Sequence, residues 1–109
     1  MISTIILILL IHFVSDFILQ TDWMAKNKSK SLKALTLHVF VYHLPFYIFG
    51  WQFAVFNMSA HTCVDFVTSQ VSSKLWAKNK VHWFFVVIGF DQFIHTACLI
   101  LTAKFFGII

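Results

Sequence analysis

Neither arginine nor glutamate occurs in this 109-residue chain; its eight basic side chains are all lysine and its four acidic ones all aspartate. Charged residues amount to 11% of the chain, against about 25% in an average soluble domain, which excludes an ordinary water-facing surface. The net charge of +4 does not mark a nucleic-acid partner, because the lysines sit in loops too short to form a reading surface and no nucleic-acid motif is present. Cys63 and Cys98 show neither CxxC spacing nor a disulfide framework, and both read as small apolar packing residues. One proline and three glycines leave few places to break a helix.

What remains is 60% hydrophobic and 18% aromatic. Membrane helices need about 20 largely apolar residues, and four segments approach that length, at about 2–24, 32–49, 51–74 and 81–107. The expected fold is an all-α membrane protein of one domain, residues 1–109, with four transmembrane helices arranged as two tandem helical hairpins. The third segment is the most polar, through HTCVDFVTSQVSSK, and tolerates that polarity by facing the bundle interior. The N-terminal stretch lacks a basic leader and a small-residue cleavage site, so it reads as a first span. Pro45, Gly50 and Trp51 punctuate a tight hairpin, Trp23, Trp51, Trp76 and Trp83 fall near span ends, and the fourteen phenylalanines read as lipid-facing.

An internal repeat fixes the frame. HFVSDF at 12–17 leads to WMAKNK at 23–28, and HTCVDF at 61–66 leads to LWAKNK at 75–80. Lys26, Lys28, Lys30 and Lys33 follow the first span and Lys74, Lys78 and Lys80 the third, while residues 50–60 carry no charge. By the positive-inside rule both lysine loops lie in the cytoplasm and both termini outside. Lys104 is a single opposing charge that can snorkel.

Three of the four aspartates interrupt the apolar segments, each with a histidine four residues away: His12 with Asp16, His61 with Asp65, Asp91 with His95. Residues four apart on a helix share a face, and His38 adds an imidazole from the second segment. An aspartate at mid-membrane costs about 2.5–3.5 kcal/mol on the insertion scale, so three left alone cost roughly 8–10 kcal/mol. One or two divalent transition ions offset that cost, and a mixed carboxylate and imidazole set suits Zn, Mn or Fe better than Ca. The expected ligands are His12, Asp16, His38, His61, Asp65, Asp91 and His95, with Asp16, Asp65 and Asp91 as the catalytic carboxylates. Gln20, one turn beyond Asp16, and Tyr42, on the face of His38, are expected to orient ligands. Gln92 beside Asp91 is a further supporting amide, although interhelical hydrogen bonding also accounts for either glutamine. His43 points elsewhere, as a helix-contact residue, and Asp22 is expected to find solvent or a lysine. The plainer reading is that each His–Asp pair only neutralises itself and ties helices together.

The run HFVSDFILQTDWMAKNK, then LHVFVYH, HTCVDF and DQFIH, resembles the domain-of-unknown-function family 3307, small membrane proteins of bacteria and their phages. Its signature of HxxxDFxLQ, LH, HxxxD and DQxxH falls here on His12, Asp16, Phe17, Leu19, Gln20, His38, His61, Asp65, Asp91, Gln92 and His95. The resemblance implies a multi-pass protein of the bacterial inner membrane and brings no activity with it. A looser similarity, at the level of fold, is to longer membrane-bound metal-dependent hydrolases.

Three functions compete on these residues. The first is a metal-dependent hydrolase acting on a lipid-like substrate. The second is a proton or metal-ion carrier, for which four spans would require a homo-oligomer. The third is a small phage-type membrane effector without catalysis, which leaves the HxxxD pairs unexplained. The bilayer itself is the expected partner.

Overall fold

With a single proline and almost no glycine, the backbone satisfies its own N–H and C=O groups locally, and the chain is helical nearly throughout. The computed structural model describes residues 1–109. Five α-helices follow in order: α1 (Ile2–Phe13), α2 (Asp22–Asn27), α3 (Leu32–His43), α4 (Trp51–Ala77) and α5 (Val81–Phe105). Two of them are extended by turns of different pitch. A π-helical turn, Val14–Ile18, carries α1 onward, and a 3-10 segment, Leu44–Phe49, carries α3 onward through Pro45.

The expected first segment, 2–24, is therefore two elements. The π turn ends at Ile18, and Thr21 then takes an extended conformation (ψ 161°) and caps α2 by accepting a hydrogen bond from the Met24 N–H at 3.2 Å. A threonine followed by an aspartate in the first turn is an ordinary helix-start signal, and it outweighs the apolar run before it. The other boundaries shift less. Residues 32–49 are helical but tighten at Pro45, α4 runs three residues beyond 74, and α5 ends at Phe105, two residues before Gly107 takes φ 73°. Gly50, at φ 113°, is the whole connection between the 3-10 segment and α4. Asn79 takes the left-handed conformation (φ 58°) after α4, where the Lys80 N–H reaches back to the Leu75 carbonyl at 2.9 Å.

Two helices, not four, are long and apolar enough to cross a membrane: Leu32–Phe49 and Val81–Phe105. The first apolar helix, Ile2–Ile18, stops at 17 residues because of the break before Thr21. α4 has length to spare, but Asn57, His61, Asp65, Ser69 and Ser72 make one of its faces polar, and all five are buried.

The buried residues fall into three levels along α4. At the level of its start, Ile8, Tyr42, Phe46, Phe53, Ala54, Leu99 and Ala103 form an apolar plug. One to three turns further on, the titratable side chains gather. Beyond them, towards the lysine loops, the buried face of α4 carries only Ser69 and Ser72. Of the 23 buried residues more than half are polar or charged, while most of the large apolar side chains, among them Phe13, Phe40, Phe56, Phe90, Phe93 and Leu101, are exposed. That is the reverse of a water-soluble domain.

Candidate metal centre

Four helical segments each deliver part of the site. Asp16 lies within the π turn, His38 on α3, His61 and Asp65 on α4, and Asp91 and His95 on α5; all six are buried. Single π turns occur disproportionately at functional sites because the extra residue re-aims a side chain. Here the turn leaves Asp16 3.9 Å from His12, its partner in sequence, and brings its Oδ1 to 3.1 Å from His38 Nε2 and 3.7 Å from His61 Nε2. The two imidazole nitrogens themselves stand 3.0 Å apart. A four-coordinate ion with bonds of about 2.0–2.1 Å requires ligand atoms about 3.3–3.4 Å apart. The three edges, 3.0, 3.1 and 3.7 Å, bracket that separation.

Two further groups of ligand atoms adjoin this one. His61, Asp65 and His95 form a second, and Asp16, Asp91 and His95 a third, with all atoms in each group within 4.8 Å of one another. Asp65 Oδ2 lies 3.4 Å from His38 Nε2, and Asp91 Oδ1 3.1 Å from His95 Nε2. Yet Asp65 Oδ2 and His95 Nε2 make no aligned hydrogen bond, so these contacts are close approaches of polar atoms without a shared, directed proton. His38 Nδ1 and His61 Nδ1 have no partner at all. Buried polar atoms left unpaired cost about 1–3 kcal/mol each; of these four, Asp65 Oδ2 has the Lys28 ammonium 3.2 Å away, and His95 Nε2, 3.1 Å from Asp91 Oδ1, is the one that a cation held by the third group would relieve.

His12 is placed differently from the expected ligands. Its Nδ1 pairs with the Tyr42 hydroxyl at 2.9 Å and its Nε2 with Gln92 Oε1 at 2.7 Å, and it belongs to none of the three groups. Tyr42 thus supports His12 and not His38, while its ring stacks on His61 at a centroid distance of 3.9 Å. Gln92 does more than its sequence position suggested: its amide N–H donates to Asp16 Oδ2 at 3.0 Å and to Asp91 Oδ2 at 3.2 Å, which ties α1, α5 and His12 into one network. Gln20 does not orient Asp16. It follows the π turn, and its buried Oε1 has no partner. His43 stays out of the cluster, bonded to the Phe40 carbonyl and to the Tyr47 hydroxyl, and Cys63 faces outward.

Two participants escaped the sequence reading. Lys28, counted there as a topology-setting loop charge, folds inward so that its ammonium lies 3.2 Å from Asp65 Oδ2 and donates to Oδ1 at 3.3 Å. Thr68 donates its hydroxyl to Asp91 Oδ1. The break before Thr21 redirects the chain towards Lys28, and no periodicity announces that turn. Thr68 lies three residues after Asp65, one helical turn along α4, a position that periodicity does indicate.

Fold and site together define an all-α protein whose interior holds a polar cluster of carboxylates and imidazoles able to bind a metal ion. The chain belongs to the family described as "Protein of unknown function (DUF3307)", which it matches over residues 4–108. No curated protein and no solved structure matches it.

Proposed function

We propose that the cluster is a divalent-metal centre inside a membrane-embedded helical domain, and that it serves hydrolysis of a bond in a lipid-like molecule. The observation that carries the metal is the Asp16, His38 and His61 triangle, whose edges lie near the separation of ligands around one ion. Zn, Mn or Fe suits this donor set.

The sharing of ligands limits the arrangement. His61 Nε2 has one lone pair, so the groups Asp16–His38–His61 and His61–Asp65–His95 cannot both be filled through it. The groups Asp16–His38–His61 and Asp16–Asp91–His95 share only Asp16, which has two oxygens. If those two groups were to hold metal, Asp65 would fall outside both sets, near the His38 and His61 nitrogens and held by Lys28. A divalent ion supplies Lewis acidity and lowers the pKa of a bound water. Asp65 is the carboxylate positioned to accept a proton, Gln92 and Thr68 fix Asp16 and Asp91 in orientation, and the apolar plug shuts water out from one end.

The bilayer placement is supported by the inside-out distribution of polarity and by the two long apolar helices. On this reading α1 and α4 complete the bundle across the membrane, with the polar face of α4 turned inward. The lysine loops lie on the cytoplasmic side and both termini outside, in a bacterial inner membrane. The same plug weighs against a conduit, since it closes the path beyond the cluster within one chain and leaves approach from the lysine side.

Metal analysis of protein purified in detergent, with Zn, Mn or Fe supplied and excess removed, tests this directly. The expected result is one to two ions per chain, lost in Asp16→Ala. A chain that retains no stoichiometric ion while remaining folded overturns the metal reading.

A further inference from the structure

On the lysine side of the cluster a cleft of about 670 Å³ opens between the α2 region, α4 and α5. Its lining combines two chemistries. Lys26, Lys28 and Lys30 with the α4 serines Ser69, Ser72 and Ser73 make a polar part, and Trp76 of α4 with Phe84, Phe85 and Ile88 of α5 an apolar part. Ser69 lies one turn and Ser72 about two turns beyond Asp65, on the same face of α4, so the polar part continues from the candidate centre at about 6 and 10 Å along the helix.

The polar part is short of partners. Ser69 is more than nine-tenths buried and its hydroxyl bonds to nothing, and Gln20, which also lines the cleft, has an unpaired carbonyl oxygen. Of the three lysines that line the cleft only Lys28 has a carboxylate partner, Asp65; Lys26 and Lys30 make no ion pair. A hydroxyl without a partner beside clustered ammoniums fits an anion with several acceptor oxygens, and phosphate esters have that chemistry. The apolar part of the lining fits a hydrocarbon chain.

We propose that the cleft binds a phosphate-bearing membrane amphiphile, headgroup phosphate among the lysines and serines and the start of its tail along Trp76 and Phe84. This names the substrate class of the hydrolytic reading and rests on that reading for its chemistry. Lys28 connects the two sites, since it lines the cleft while touching Asp65. A phosphate in the cleft competes for its ammonium, so binding loosens the Lys28 hold on Asp65 at the moment a substrate arrives.

The test uses full-length protein in dodecyl maltoside, with dodecyl phosphate as the probe and the fluorescence change that Trp76→Phe abolishes as the readout. Inorganic phosphate and dodecanol are the comparators. Dodecyl phosphate is expected to saturate at a concentration at least tenfold below either comparator, and Lys26→Gln combined with Lys30→Gln is expected to weaken it at least tenfold. Ser69→Ala, which leaves the charges in place, is expected to weaken it several-fold. Equal binding of inorganic phosphate makes this a site for the free anion, equal binding of dodecanol makes it a bare apolar groove, and an indifferent lysine double variant removes the charge recognition; each overturns the proposal. Selective binding by folded protein that holds no metal supports the cleft and sinks the metal centre. Stoichiometric metal without selective binding does the opposite.

Discussion

Replacing Lys28 by methionine separates a metal centre from a network of self-neutralising pairs. The ammonium lies 3.2 Å from Asp65 Oδ2, and Coulomb's law at an effective dielectric near 20 makes that attraction about 5 kcal/mol. Lys28 retains 18% exposure, so water recovers part of the loss and the net cost to metal-free protein is roughly 2–3 kcal/mol. If cations bind beside Asp65, the loaded protein already holds positive charge there and needs Lys28 less. The thermodynamic cycle then requires Lys28→Met to bind metal more tightly, by about 2 kcal/mol or 30-fold. The assay pairs thermal unfolding in detergent, with chelator and with added Zn or Mn, with a competitive metal titration. A variant that loses the same stability in both states, or that binds metal more weakly than the parent, refutes the placement of the ions beside Asp65.

Other outcomes follow from the same geometry. His61→Ala removes a member of two ligand groups but leaves Asp16–Asp91–His95 intact, and is expected to lower the metal content to at most one ion per chain, whereas His12→Gln, outside all three, retains the parent's content; the reverse order in metal analysis would restore His12 as a ligand. Gln92→Leu leaves the ligands in place but frees Asp16 and Asp91, and a chelator titration should show affinity lower by about 10- to 100-fold, with no change counting against its orienting role. On the proposed bilayer placement Cys63, exposed midway along α4, faces lipid. It should resist a charged maleimide in native vesicles and react after denaturation in dodecyl sulfate, because the reactive thiolate does not form in hydrocarbon; rapid labelling in intact vesicles would put that face of α4 in water.

Much of the interior was legible because the sequence spends polar residues so sparingly. The HxxxD and DxxxH spacings alone bring Asp16, His61, Asp65, Asp91 and His95 towards one interior, and the low charge content made each of them conspicuous. The helical class and the two apolar segments Leu32–Phe49 and Val81–Phe105 followed from the same runs of apolar residues. Hydropathy did not register the stop at Ile18, because a threonine cap costs an apolar window almost nothing in average polarity while redirecting the chain. The role of Lys28 depended on that redirection and was hidden with it. Periodicity also paired His12 with Asp16 as joint ligands, but spacing says only which residues share a face. It does not say whose nitrogens are already taken, and Tyr42 and Gln92 hold both of those on His12.

The break before Thr21 also distinguishes the two halves of a duplicated pattern. After HTCVDF the helix runs on without interruption to Ala77, whereas after HFVSDF it is cut, and the short α2 with the turn after it brings Lys26, Lys28 and Lys30 to the cleft beside α4 and α5. One copy has thus become a continuous wall and the other a hinged rim around an opening. A chain built from two equivalent hairpins would close symmetrically at that end; here the inequality of the copies itself makes the mouth, and restoring straight helix through residues 19–21 should seal it.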